Sequence, residues 1–278
     1  MKPIPPEAIS KAVSAALEED VGSGDITTES VIPAGMRARA SLVTKEECVV
    51  CGLDVAEHVF RSLDPGVAFR RRLAEGSVAK PGAVIADIEG KAAALLTGER
   101  TALNFLQRLS GIATFARALS GKISGTGVKL LDTRKTTPGL RALEKYAVAA
   151  GGGSNHRFGL SDAVLIKDNH IALVGLEEAV RRAAKTGRKV EVEASTMDEV
   201  RRALAAGADI IMLDNMRPDQ IREAIGIIRK RAVVEVSGGV DEGNISGIAA
   251  LGPDWISVGR LTHSVRAADI AFEVSPLK

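Results

Sequence analysis

The sequence predicts an α/β protein in which a small N-terminal sheet precedes an incomplete barrel of parallel strands. Two patterns support this. Between Arg37 and about Gly90, short extended segments are separated by Asp-Pro-Gly, Glu-Gly and Pro-Gly turns, whereas from Val128 onward β-rich runs alternate with helical patterns. The composition agrees, because 45% hydrophobic and 26% charged residues over 278 positions are ordinary values for a globular protein with a sizeable core.

The N-terminal part begins with a predicted helix. An apolar stripe over residues 7–20 indicates this helix, and the polar stretch 25–28 is expected to form a turn. Extended segments are expected at 37–43, 68–73 and 83–90. A long amphipathic helical segment follows over 95–123, with an expected interruption at Ser110-Gly111.

Six short β-rich runs occupy the second half of the chain, at 128–132, 163–167, 189–193, 209–214, 232–237 and 255–258. The helical patterns between them indicate βα units and a parallel sheet that is buried on both faces. No GxGxxG motif opens the first helix, and no P-loop lysine motif occurs. A barrel is therefore favoured over an open dinucleotide-binding sheet.

Charge and hydropathy argue against several classes of function. Lys and Arg total 37 against 35 for Asp and Glu, so the net charge of +2 gives no overall attraction to nucleic acid or to an anionic membrane. No run of about eighteen apolar residues predicts a membrane span, and the first residues do not resemble a signal peptide. Cys48 and Cys51 lack the further ligands of a zinc site, and we interpret them as small apolar residues of a cytoplasmic protein.

Each predicted strand of the second half ends in residues that are suited to ligand binding or catalysis. In chain order these are Thr133-Arg134-Lys135, Lys167, Glu193, Asp214, Ser237-Gly238-Gly239 and Gly259-Arg260. A charged residue at one strand end is usually a solvated boundary, but that explanation does not account for the pattern at all six ends. Because the carboxyl ends of parallel barrel strands share one rim, we expect these residues to meet there.

The residue types at this rim indicate an anionic ligand. Five basic side chains concentrate positive charge in a nearly neutral chain: Arg134, Lys135, His156, Arg157 and Lys167. Such a group suits an aromatic dicarboxylate or a polyphosphate. The two glycine-rich strand ends are typical of a sugar-phosphate site, because turn N–H groups bind anions.

Two acidic residues are expected opposite this basic group. Glu193 and Asp214 can hold ribose hydroxyls directly or orient a hydrated Mg2+ that bridges pyrophosphate oxygens. The alternative is that both carboxylates are internal salt-bridge partners of the same basic side chains.

Long motifs along the chain resemble a known family. They are EEDVGSGDITT, GERTALNFLQRLSGIAT, DTRKTTPGLRALEKYAV, GGGSNHRFGLSDAVLIKDNHI, EVE, IIMLDNM, EVSGGV and ISVGRLTHS. Together they closely resemble quinolinate phosphoribosyltransferase, also called nicotinate-nucleotide pyrophosphorylase (carboxylating). The resemblance implies an N-terminal α/β sandwich domain over 1–110, completed by about 266–278, and a partial, seven-stranded α/β barrel over 111–265. It also implies a homodimer with shared active sites, alone or as part of a hexamer.

The resemblance further implies an activity, in which quinolinate and PRPP give nicotinate mononucleotide, pyrophosphate and CO2 in de novo NAD biosynthesis. The quinolinate pocket would be lined by Thr133, Arg134, Lys135, His156 and Arg157, and by Arg100 of the neighbouring subunit. PRPP and its Mg2+ would face Lys167, Glu193 and Asp214, with the metal contacted through water or through PRPP. The 5′-phosphate end would be held by Ser237, Gly238, Gly239, Val258, Gly259, Arg260 and His263. The expected catalytic residues are Lys135, Lys167, Glu193 and Asp214, and either Lys135 or water supplies the final proton.

Three alternatives stay open. A related branch associated with molybdate transport shares the TRKT and GGG motifs, although it differs around the NHR and KDNH strings that are intact here. A Schiff-base aldolase would use Lys167 as its nucleophile. A catalytically silent barrel could act as a sensor of phosphorylated metabolites, because fold alone does not determine function.

Overall fold

A computed structural model describes residues 2–277 of the chain, which form two compact units. The first unit comprises Met1–Arg117, Thr136–Gly152 and Thr262–Lys278. The second unit comprises Ala118–Lys135 and Gly153–Leu261. Among residues 2–277, no helix combines the length and the apolar character that crossing a membrane requires.

The first half of the chain supplies four helices and five strands. In chain order they are α1 (Pro6–Val21), α2 (Ile26–Val31), β1 (Arg37–Thr44), β2 (Cys48–Val49), α3 (Leu53–Leu63), β3 (Ala68–Arg71), β4 (Val78–Ala79), β5 (Val84–Lys91) and α4 (Ala92–Lys122). The predicted helix at 7–20 and the three predicted extended segments are thus confirmed as α1, β1, β3 and β5. Cys48 and Cys51 are buried free thiols, as their interpretation as apolar residues requires.

The second half supplies the remaining elements. They are β6 (Lys129–Leu131), α5 (Arg141–Ala150), β7 (Val164–Ile166), α6 (Asp168–Val174), α7 (Leu176–Ala184), β8 (Val190–Ala194), α8 (Met197–Ala205), β9 (Ile210–Asp214), α9 (Pro218–Ile228), β10 (Val233–Ser237), α10 (Ile245–Ala249), β11 (Trp255–Ser257), α11 (Arg260–His263) and β12 (Ile270–Pro276). All six β-rich runs predicted from the sequence are strands.

The main sheet of the first unit is antiparallel, with the strand order β12-β1-β5-β3. In β1, buried Ala38, Ala40 and Leu42 alternate with more exposed residues, because successive side chains of a strand point to opposite faces. Phe60 of α3 stacks on Phe272 of β12, with ring centroids 5.7 Å apart. The last strand of the chain therefore contributes both to this sheet and to the core beneath α3.

Two local predictions in the first unit are wrong. The stretch 25–28 is the start of α2 rather than a free turn, because the Asp25 carboxylate accepts the Thr28 N–H at 3.0 Å and caps the helix. Helix α4 also continues through Ser110 and Gly111. A Cβ at Gly111 would lie 2.1 Å from the carbonyl oxygen of Arg266, so this glycine allows a close backbone approach and does not interrupt the helix.

The second unit contains a six-stranded parallel sheet, in the order β6-β11-β10-β9-β8-β7, with helices between successive strands. An isolated parallel bridge joins Leu131 to Ser154, so a seventh extended segment lies beside β6. This mixed α/β architecture confirms the predicted fold class. The register pairs Glu193 with Met212 and Met212 with Glu235, and paired residues of neighbouring strands point to the same face.

Candidate active site

The chemically useful strand ends of the second unit lie along the carboxyl edge of one parallel sheet. Glu193 is the penultimate residue of β8, Asp214 is the last residue of β9, and Ser237 is the last residue of β10. Ser237 is also the register partner of Asp214. The remaining predicted residues follow their strands directly or within a few positions: Thr133, Arg134 and Lys135 after β6, Lys167 after β7, and Val258, Gly259 and Arg260 after β11.

Lys167 and Glu193 form an ion pair between neighbouring strand ends. The lysine side chain is 45% exposed and the glutamate side chain 14%, so the lysine reaches solvent while the glutamate is largely buried. His170 holds the backbone of this lysine, because its Nδ1 accepts the Lys167 N–H at 2.9 Å as α6 begins. The sequence suggested no role for His170, and the structure places it as a helix cap beside the site.

The segment Asn155-His156-Arg157 is held at the rim by a buried carboxylate. Asp132, which directly follows β6 and is fully buried, accepts the Asn155 side-chain amide at 2.6 Å and the His156 N–H at 2.8 Å. Arg157 donates from its guanidinium to the carbonyl of Ala163 at 3.0 Å. These bonds fix the backbone from which both His156 and Arg157 project.

Both ring nitrogens of His156 have protein partners. Nε2 lies 3.2 Å from Glu191 Oε2 and 3.4 Å from Glu235 Oε2, whereas Nδ1 accepts the Arg157 N–H at 2.8 Å. Burial lowers the pKa of His156, but Glu191 and Glu235 outweigh this effect and raise the pKa to about 10, which on its own would favour a doubly protonated ring. The hydrogen bond decides the protonation state, because a backbone N–H can only donate and Nδ1 must therefore keep its lone pair. The ring is neutral with its proton on Nε2, and burial raises the pKa of Glu191.

The charges of Arg134 and Arg157 influence each other. Burial lowers the pKa of Arg157, and the neighbouring charge of Arg134 lowers it further, while Glu191 and Asp162 oppose the shift. Both arginines are half-buried. Like charges in a partly desolvated pocket repel each other, so an anion between them would stabilise the arrangement.

The turns after β9 and β10 pack tightly against each other. Asn215, with a φ of 53°, donates its side-chain amide to Asp214 Oδ2 at 2.8 Å, and its N–H bonds to the Ser237 carbonyl at 2.9 Å. Gly238 has a φ of 87°, and a Cβ there would lie 2.3 Å from Asn215 Oδ1. Only glycine fits this approach at position 238, whereas a Cβ at Gly239 would meet nothing within 4 Å.

The other predicted site residues have more exposed positions. Lys135 and Arg260 are exposed in the second unit, and the Lys135 N–H bonds to Thr133 Oγ1 at 3.0 Å. Arg100 and His263 belong to the first unit and are also exposed. Arg100 lies on α4 at a cleft that Asp20 and Asp25 help to line.

Sequence reasoning missed four polar residues that organise the site: Asp132, Glu191, Glu235 and His170. A signal for the two glutamates is present, since each interrupts an otherwise apolar run in a predicted buried strand. Buried carboxylates are rare unless they have partners, so such positions can be recognised as members of a polar cluster. The partners themselves could not be identified without the fold.

Comparisons with known proteins agree with this architecture. Models of the N-terminal and C-terminal domains of quinolinate phosphoribosyl transferase match residues 25–110 and 112–273. A Methanocaldococcus jannaschii protein named "probable nicotinate-nucleotide pyrophosphorylase (carboxylating)" is 46% identical over 276 residues, 95% of this chain and 96% of the relative. A Bacillus subtilis protein of the same name is 44% identical over 92% of this chain and 90% of its own length.

A solved structure shows the same fold. The crystal structure of NadC from Streptococcus pyogenes covers 100% of both chains with a TM-score of 0.95 and 42% identity. Similarity extends over both units, and the two domain models together match most of the chain. The chain therefore belongs to the quinolinate phosphoribosyltransferase family.

Proposed function

We propose that this protein is a decarboxylating quinolinate phosphoribosyltransferase, which converts quinolinate and PRPP to nicotinate mononucleotide, pyrophosphate and CO2. The observation that carries the proposal is that Arg134 and Arg157 are both half-buried, with the charge of Arg134 lowering the pKa of Arg157, in the unit whose strand ends also hold the ion pair of Lys167 and Glu193. A planar dicarboxylate would neutralise both guanidinium groups through paired hydrogen bonds. A monocarboxylate would leave guanidinium charge without a partner, so the pocket should favour quinolinate over a monocarboxylate.

The glycine-rich edge of the same sheet suits the phosphate end of PRPP. This turn is tightly packed against Asn215 at Gly238 but open at Gly239, where a Cβ would meet nothing within 4 Å. We assign the 5′-phosphate to this turn and to Gly259 and Arg260, since backbone N–H groups and a guanidinium are phosphate ligands. The ribose would then lie toward Glu193 and Asp214.

The acidic residues fit Mg2+ that is carried mainly by PRPP. Glu193 and Asp214 offer carboxylate oxygens, the ligands that Mg2+ prefers, but each already has a protein partner, Lys167 and Asn215 respectively. Mg2+ is commonly bound through one or two carboxylates together with substrate phosphates. When bound, it would neutralise charge on the departing pyrophosphate.

In the first step the pyridine nitrogen attacks C1 of PRPP while the bond from C1 to pyrophosphate breaks. Lys167 offsets the negative charge that develops on the leaving group. Glu193 and Asp214 hold the ribose hydroxyls and favour the positive charge that develops at C1. Arg134 and Arg157 hold the pyridine ring so that its nitrogen points at C1 of PRPP, which lowers the entropic cost of bringing the two atoms together.

In the second step the alkylated ring loses its 2-carboxylate as CO2. The electron pair of the broken bond stays on the ring carbon, next to the positive nitrogen that stabilises it, and a proton then adds to that carbon. The protein has to hold the ring and admit one proton, from Lys135 or from water. Lys135 is exposed at the rim, where both donors are available.

We further propose that two copies of the chain share each active site, with Arg100 of one subunit completing the quinolinate pocket of the other. Arg100 is exposed on α4, so its side chain is free to meet a second molecule. The assembly of dimers into hexamers and the location in the cytoplasm stay predictions.

The aldolase alternative is less well supported. A Schiff-base lysine has to attack with a free amine, whereas the Nζ of Lys167 is already paired with the Glu193 carboxylate. The sensor alternative differs from the proposal in turnover rather than in binding.

One assay tests the proposal. The protein is incubated with Mg2+, PRPP and quinolinate labelled in its 2-carboxyl group, and released CO2 and pyrophosphate are measured. We expect both products in equal amounts, and only when PRPP is present. Binding of both substrates without release of labelled CO2 would instead identify a sensor.

A further inference from the structure

Two buried glutamates lie inside the second unit, below the residues assigned to quinolinate. Glu191 of β8 is 2% exposed and Glu235 of β10 is fully buried. They sit in strands whose other residues are mostly apolar, and neither is among the residues to which the proposed reaction gives a role. A carboxylate removed from water is costly unless a partner offsets the loss of hydration. These two residues therefore require an explanation.

Both glutamates converge on the ring of His156. Its Nε2 lies 3.2 Å from Glu191 and 3.4 Å from Glu235. Among the residues that the structure describes, neither oxygen of Glu235 has a partner with hydrogen-bond geometry, so its contact is mainly electrostatic. The ring connects these carboxylates to the backbone of Arg157, whose N–H donates to Nδ1 at 2.8 Å.

We propose that Glu191 and Glu235 are positioning residues that orient His156 and, through its Nδ1, fix the backbone from which Arg157 reaches the ligand. In this role His156 links the buried glutamates to the backbone of Arg157. Its ring nitrogens do not bind the substrate, because both already have protein partners. The inference rests on the proposed function only in naming quinolinate as the ligand of Arg157. A guanidinium displaced by about 1 Å would lose much of its contribution to binding and orientation.

A metal site is the competing explanation for this cluster. The ligand atoms of His156, Glu191 and Glu235 all lie within 4.8 Å of one another. A metal bound at Nε2 would need the lone pair of that nitrogen. Because Nδ1 accepts a hydrogen bond from the Arg157 N–H, the proton of the neutral ring is on Nε2, where it excludes a metal.

The role of Glu191 is tested by comparing three variants of the full-length protein. Glu191→Ala removes the contact to Nε2, Glu191→Gln keeps an oxygen that can accept the Nε2–H, and Val192→Ala is the matched control. Val192 is fully buried on the same strand with its side chain on the opposite face, so it reports packing loss alone.

We expect Glu191→Ala to raise the KM for quinolinate by about tenfold or more while the KM for PRPP changes by less than about twofold. Glu191→Gln should recover most of the quinolinate affinity, and Val192→Ala should leave both KM values unchanged. A folded Glu191→Ala protein with the wild-type KM for quinolinate would overturn the proposal. So would an equal rise in both KM values, which indicates general damage to the unit.

A second measurement reads the ring of the wild-type protein directly and needs no enzymatic activity. In wild-type protein labelled at the histidine nitrogens, NMR distinguishes protonated from unprotonated ring nitrogens, and His156→Gln identifies the signals of His156. The proposal requires a protonated Nε2 and an unprotonated Nδ1. A doubly protonated ring, or loss of the Nε2 proton when Mn2+ or Zn2+ is added, would refute it.

The two measurements separate failure of this inference from failure of the proposed function. If wild-type protein releases no CO2 from quinolinate but the His156 ring has the expected protonation, the positioning role is supported and the assignment of quinolinate as the ligand is wrong. If CO2 is released but the protonation of the His156 ring differs from the expected one, the proposed reaction is supported and the positioning role is refuted.

Discussion

At the scale of single residues, Arg134 and Arg157 are the most direct test of the ligand. Each is expected to make a charge-assisted hydrogen bond to a carboxylate, and such a bond contributes about 1.5–3 kcal/mol. We therefore expect Arg134→Ala or Arg157→Ala to raise the KM for quinolinate by about 10- to 150-fold, with a smaller effect on the KM for PRPP. Steady-state kinetics with each substrate varied in turn measures both values.

The matched control for these substitutions is Arg201→Ala. Arg201 lies on α8 with a side chain 55% exposed, and it pairs with Glu223 at 3.0 Å. Exposed ion pairs contribute little, so this variant should keep the wild-type KM for both substrates. Unchanged affinity for quinolinate in the Arg157→Ala protein would show that the guanidinium does not bind this substrate.

Residues at strand ends could be recognised from the sequence, whereas the residues that orient them could not. A polar residue at the end of an apolar run can be recognised in the sequence alone, as for Lys167, Glu193 and Asp214. Because parallel strands end at the same edge of a sheet, these residues were also expected to lie close together. Glu191 stands two positions before Glu193, but its partner His156 lies on another segment. That contact depends on where the fold places the loop of His156 against the sheet, which local patterns do not specify.

At the scale of elements, Gly111 in the middle of α4 is expected to control the packing of the C-terminal segment. Gly111→Ala would place a methyl group 2.1 Å from the carbonyl oxygen of Arg266, so the two segments must move apart. Overpacking of this kind typically costs about 1–3 kcal/mol. We expect a lower free energy of unfolding, measured by urea denaturation.

The same helix supplies the control. Gly121 is also in α4, and a Cβ there would meet nothing within 4 Å. Gly121→Ala should leave the stability unchanged or raise it by less than about 1 kcal/mol, because alanine favours a helix more than glycine does. Equal stability of the two variants would mean that α4 and the backbone at Arg266 can move apart without a cost in free energy.

Elements were predictable where periodicity alone determines them. All six parallel strands and α1 were found because apolar runs and stripes are strong local signals. The predicted break at Ser110-Gly111 was wrong because glycine permits a helix as well as a turn, and the choice depends on Arg266, more than 150 positions away. Asp25 was misassigned for a related reason, since the same residue types, Asp among them, are favoured both as helix caps and in turns.

At the scale of the whole molecule, the proposed shared site predicts complementation. An Arg100→Ala chain and a Lys167→Ala chain should each be nearly inactive alone. After mixing with exchange of subunits, a heterodimer contains one site with both residues intact. In an equal mixture about one site in four would then be active.

The comparison requires proof that subunits exchange. Affinity tags of two kinds, one on each variant, allow heterodimers to be isolated and assayed. Isolated heterodimers as inactive as the parent variants would contradict a site shared between subunits. Full activity of the Arg100→Ala protein alone would remove Arg100 from the site altogether.

The pairing of β12 with β1 also bears on how the chain matures. Residues 38–44 of β1 find their hydrogen-bonding partners at 270–276, near the end of the polypeptide. During synthesis, this edge of β1 stays unpaired until residues 270–276 have left the ribosome, and unpaired edges favour aggregation. A fragment that stops before position 270 would therefore leave that edge exposed, even though it contains every residue assigned to catalysis.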